Sequence, residues 1–82
     1  MINERGTDFQ DIHMGAEVFT SDGDRLGEVG DIRGAGFKVN AAMQPDYWLP
    51  TSSVTSTTAT RVTLSFRRDD LRDYRMDEPL VA

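Results

Sequence analysis

The stretch GAEVFTSDGDRLGEVGDI, residues 15–32, constrains the fold more tightly than any other part of the chain. Asp22-Gly23 lies between two short segments that carry apolar side chains. This dipeptide accepts φ > 0 at both central positions of a type I′ turn, which predicts a two-stranded hairpin. Beyond the turn, Leu26, Val29 and Ile32 recur every third residue, with Gly27 and Gly30 between them. A flat strand alternates strictly by two. A strand that bends around a small core uses glycines and bulges to keep its apolar side inward.

The rest of the chain continues in the same style. Arg33-Gly34-Ala35-Gly36 is a glycine turn, Phe37–Asn40 a short strand with Phe37 and Val39 on one side, and residues 41–46 a loop. Tyr47-Trp48-Leu49 makes a fourth strand, closed by Pro50, which lacks the N–H a ladder needs. Val54 anchors a brief fifth strand within the Ser/Thr-rich residues 51–60. The segment RVTLSF alternates most cleanly, placing Val62, Leu64 and Phe66 inward. Leu71 and Tyr74, three apart, then predict one helical turn, with Asp69 or Asp70 as its cap. Residues 1–11 read as a lead-in that is ordered only if Phe9 or Ile12 docks, residues 12–75 as one domain, and residues 76–82 as a tail.

At 82 residues without cysteine, the chain has one small core and neither disulfides nor thiolate metal sites to reinforce it. Self-association is the supplement this leaves, and a homodimer is expected. No apolar run approaches the ~20 residues that span a bilayer, and the first ten residues lack the apolar region of a secretory signal. These features point to a cytoplasmic protein without membrane insertion. A net charge of −5 argues against nucleic acid as the main partner.

The chemistry-bearing residues are sparse. Asp22, Asp24, Glu28 and Asp31 do not follow a calcium-loop spacing, and a solvated hairpin accounts for them. His13 is the sole histidine and Lys38 the sole lysine, so neither a two-histidine metal site nor an activated serine is available within one chain. Gly27, Gly30, Gly34 and Gly36 precede no helix and do not form a phosphate loop. No cofactor, metal or catalytic residue is expected. Two groups remain. Met43, Tyr47 and Trp48 have the composition of an interface centre if alternation turns Trp48 outward. If the strand faces the other way, Trp48 fills one mouth of the fold, and both placements stay open. Arg61, Arg67, Arg68 and Arg72, with Arg75, offer a patch for an acidic partner. The interleaved Asp69, Asp70 and Asp73 would neutralise much of that patch by ordinary surface pairing.

Taken in order, the hairpin, the FKV strand after its glycine turn, YWLP followed by Val54, and VTLSF before DDL resemble the PRC-barrel domain over about residues 14–74. The resemblance implies an all-β, small antiparallel, SH3-like barrel of about six short strands with a short helical turn near its C-terminal end. It also implies action through protein contacts, often as a dimer, as in the small stand-alone bacterial proteins of that kind. A non-catalytic interaction module is the resulting expectation. The alternatives are a small-ligand sensor using the mouth near Trp48 and a ribosome- or RNA-associated factor.

Overall fold

The computed structural model describes residues 12–77. Six strands, β1 (Glu17–Phe19), β2 (Arg25–Arg33), β3 (Gly36–Ala41), β4 (Tyr47–Pro50), β5 (Val54–Thr57) and β6 (Arg61–Leu64), form one sheet in the order β4-β3-β2-β1-β6-β5. A three-residue 3-10 turn, Thr51–Ser53, joins β4 to β5. A second one, Arg68–Asp70, runs directly into the single helical turn α1 (Leu71–Tyr74).

The sheet is mixed, which corrects the purely antiparallel expectation. β1 and β6 run parallel, with Val18 opposite Val62, while the other four pairings are antiparallel. No ladder joins β4 to β5, so the sheet is open. It is nevertheless curled. The edge strands of a flat six-stranded sheet lie five spacings of ~4.8 Å apart, roughly 24 Å. The backbone from Pro50 to Val54 reaches at most about 15 Å, so the two edges must approach each other at this corner.

Bulges and glycines make the curl possible. The register slips between Val18 and Phe19 and again between Val29 and Asp31, where Gly30 is the extra residue. A Cβ on Gly27 would overlap the Asn40 carbonyl oxygen, and one on Gly30 would overlap the Asn40 side chain. At Gly27, where the obstacle is backbone, only glycine allows β2 and β3 to come this close.

The β1–β2 connection also differs from the expected type I′ turn. Gly23 has φ +90°, but Asp22 does not have positive φ. The Gly23 N–H donates to the Thr20 carbonyl at 3.0 Å and the Thr20 N–H to the Asp24 carbonyl at 2.9 Å. This is a three-residue loop closed by a left-handed glycine, the other common hairpin solution.

The concave side buries Val18, Val29, Phe37, Val39, Leu49, Val54, Val62, Leu64 and Phe66. Ile12 docks on the same core, as the lead-in reading requires of it. Phe9 and the rest of residues 1–11 lie outside the described residues, as do residues 78–82 of the expected tail. The helical turn is held by its side chains, with Leu71 packed on the core and Tyr74 stacked on Phe66 at 4.1 Å between ring centroids. Asp70 occupies the N-cap position of α1 without a side-chain cap hydrogen bond, and Asp69 lies inside the 3-10 turn, so neither aspartate caps it.

Candidate functional site

Strand β4 shows why two open placements of Trp48 both missed its surroundings. Leu49 is fully buried beside Phe37, and Trp48 lies on the opposite face, in register with Lys38. Trp48 therefore points away from the core, yet it is only 7% exposed. The segment after α1 folds back along β4, where the Met76 N–H donates to the Trp48 carbonyl at 2.9 Å. The Arg33 guanidinium stands 5.9 Å from the Trp48 ring on the same face.

The aromatic interface patch expected at Met43, Tyr47 and Trp48 is corrected accordingly. Tyr47 belongs to the core and Trp48 is covered from within the chain, which leaves only Met43, at φ 61°, in the open. The first residue beyond the predicted domain boundary, Met76, is an ordered part of the domain.

Tyr47 has a further peculiarity. Its hydroxyl is buried and has no hydrogen-bond partner. Burial pushes its pKa above the ordinary value of 10.0, against the opposing pull of the Arg68 and Arg75 charges. The Arg75 guanidinium sits 5.5 Å from the centre of the Tyr47 ring.

The arginines divide into two groups. Arg61 lies at the start of β6, its guanidinium 3.8 Å from the centre of the Phe19 ring, away from the others. Arg68, Arg72 and Arg75 line one surface hollow, together with Leu71 and Asp69, and Arg67 is exposed just before it. Arg68 opens the 3-10 turn, Arg72 lies in α1 and Arg75 follows it in extended backbone, so the grouping comes from the path of the whole segment and not from one helical period.

The expected neutralisation by surface pairing is absent. Among the described residues, Arg67, Arg68, Arg72 and Arg75 form no ion pair with any carboxylate. The ion pairs that do form lie on the hairpin, where Arg25 meets Glu17 at 3.1 Å and Glu28 at 3.4 Å, and Arg33 meets Asp31 at 3.3 Å.

The acidic hairpin residues have local structural partners. Asp22 accepts the Thr20 hydroxyl and, at 3.3 Å, the Arg68 N–H, which ties the hairpin loop to the start of the arginine face. The Thr20 bond is the main reason its carboxyl titrates below the ordinary 3.8, with desolvation opposing and the Arg68 N–H assisting. Among the described residues, no three histidine or carboxylate side chains gather as a metal site would require. His13 is exposed, and Lys38 is half-buried opposite Asp31 and Trp48. No helix among the described residues is long and apolar enough to cross a membrane.

A family model matches residues 12–72, from Ile12, the first described residue, into the helical turn. Its description is "Uncharacterized protein conserved in bacteria (DUF2171)", and the chain belongs to that family. No curated protein and no solved structure matches the chain.

Proposed function

We propose that this member of the bacterial family is a non-catalytic interaction module that grips a negatively charged protein surface through Arg67, Arg68, Arg72 and Arg75. One observation carries the reading. On a chain of net charge −5, Arg68, Arg72 and Arg75 line one hollow, with Arg67 exposed just before it, and none of the four pairs with a carboxylate among the described residues. The hairpin arginines Arg25 and Arg33 meet carboxylates close by. A planar guanidinium fork left open is suited to bidentate recognition of carboxylates from outside.

The fold suits such a role. The curled six-stranded sheet, with its edges joined by the three-residue corner at Thr51–Ser53, supports the reading of a PRC-type small barrel. It holds the arginine turn on a packed base through Leu71 and Tyr74. Self-association would use the outer side of β5, the last strand of the sheet, because the aromatic patch is covered. Sedimentation at micromolar concentration tests that pairing, and a monomer removes it.

The decisive experiment is fluorescence anisotropy of a labelled glutamate-rich peptide. The wild type is compared with the triple variant Arg68→Gln, Arg72→Gln, Arg75→Gln, with a single-stranded RNA of equal length as competitor. The wild type is expected to bind the peptide, more weakly as salt shortens the Debye length from about 10 Å towards 3 Å. The variant is expected to lose binding. RNA that binds more tightly than the peptide at physiological salt overturns the reading in favour of an RNA-associated factor.

A further inference from the structure

The hollow beside the helical turn holds more positive charge than a single carboxylate can balance. Three arginines, Arg68, Arg72 and Arg75, line it with one acidic residue, Asp69, so the lining carries a net charge of +2. Arg68, in the 3-10 turn, and Arg72, in α1, line the same hollow, and like charges gathered at one site are relieved by an anion between them. Leu71, part of the same lining, packs on the core and fixes the backbone from which the arginines project. Arg75 is steadied from below by the Tyr47 ring at 5.5 Å.

A second feature lies in the same neighbourhood. The Tyr47 hydroxyl is buried, has no partner and feels the charges of Arg68 and Arg75. Buried polar groups are almost always paired, but Tyr47 does not line this hollow and reaches it only through the contact of its ring with Arg75.

We propose that this hollow is a binding site for a phosphate monoester dianion, with Arg68, Arg72 and Arg75 as its ligands. The charge matches, because a phosphomonoester carries about −1.5 to −2 near pH 7 and presents three acceptor oxygens. Three guanidiniums with one opposing carboxylate suit that group better than a lone Asp or Glu side chain. The inference rests on the reading that this face makes the contacts, and it specifies which anion the face accepts. Two sources share the chemistry, a phosphorylated side chain of a partner and a free phosphate ester.

The test is a titration followed by NMR, reading the backbone amides of residues 67–76 and the arginine Nε–H groups. The probes are inorganic phosphate, phenyl phosphate, a short phosphoserine peptide and its glutamate counterpart, at constant ionic strength in chloride. Saturable shifts confined to the hollow are expected for the phosphate probes. Affinity should fall as pH drops through the second phosphate pKa of about 6, and Arg72→Gln should weaken it roughly ten- to a hundredfold. A phosphoserine peptide that binds much more tightly than phenyl phosphate identifies a protein source, and the reverse order a small ester. If the glutamate peptide binds at the hollow and no phosphate probe does, the phosphate inference fails while the acidic-partner reading stands. If no probe shifts these signals, both fail. If a phosphate probe binds and Arg72→Gln leaves its affinity unchanged, the assigned ligands are wrong.

Discussion

Replacing Tyr47 with phenylalanine isolates one atom of the structure. The ring keeps its place in the core, opposite Val39 on the neighbouring strand, and only the partnerless hydroxyl is removed. A buried polar group without a hydrogen bond costs about 1–3 kcal/mol of desolvation. Taking the lower end, because the group lies near the rim of a small core, Tyr47→Phe should stabilise the fold by about 1 kcal/mol. For a chain of this length that corresponds to a rise of about 4–8 °C in Tm. The pH dependence supplies an independent check. Burial raises the Tyr47 pKa above 10.0, so above that pH the unfolded chain loses a proton that the folded chain keeps. Stability must then fall as pH rises through and beyond that value. The phenylalanine variant should lose that part of the decline. Thermal denaturation followed by circular dichroism, in phosphate-free buffer at neutral and alkaline pH, measures both effects. A variant several degrees less stable than wild type, with an unchanged alkaline decline, would show that the hydroxyl has a partner and would refute the argument.

Three other perturbations probe the frame. Leu64 is fully buried at the end of β6, and Leu64→Ala should cost about 2–5 kcal/mol in urea denaturation. An unchanged midpoint would mean that the strand's inner face is misassigned. Gly27→Ala should be clearly worse than Gly23→Ala, because the first forces a methyl into the Asn40 carbonyl. The second meets open space and pays only for its φ of +90°, about 1 kcal/mol. Equal midpoints would contradict the close approach of β2 and β3. Asp22 titrates below its ordinary 3.8, so its contribution is fully present above that pH and is lost as pH falls towards the lower folded value. Asp22→Asn should therefore flatten the acid limb of the stability profile, and an identical acid limb would show that the Thr20 and Arg68 bonds do not hold in solution.

Much of the sheet was legible because alternation acts locally. Phe37 with Val39, and Val62 with Leu64, announce their inward face within a few residues, and each is fully buried. The glycine spacing of β2 announced a bend, and the bulge at Gly30 is where it occurs. What alternation does not carry is the partner. Nothing within Glu17–Phe19 or Arg61–Leu64 says that these strands run parallel, since that pairing depends on how the 41 intervening residues return. Trp48 illustrates the same gap. Period-two reasoning placed it opposite Leu49, but it is buried all the same, and the bridge to Met76 on its strand comes from a segment with no period of its own.

The arginines show the opposite case, a signal present in the sequence that counting hides. Residues 61–82 hold five basic and five acidic side chains, which suggests a neutral surface. The sum discards direction. The fold places Arg68 at the start of the 3-10 turn, Arg72 in α1 and Arg75 in the extended residue after it, and all three line one hollow with Leu71 and Asp69. Leu71 anchors that turn and lines the hollow with the three arginines, so burial of an apolar residue sets where the charges point. The local field that a partner meets is therefore set by where residues 68–75 place their charges, whereas the net charge of −5 governs only the approach from a distance. An acidic protein can repel a polyanion at long range and still hold one compact anion at this hollow. That separation of ranges favours a small, concentrated charge over an extended phosphate backbone as the ligand of this face.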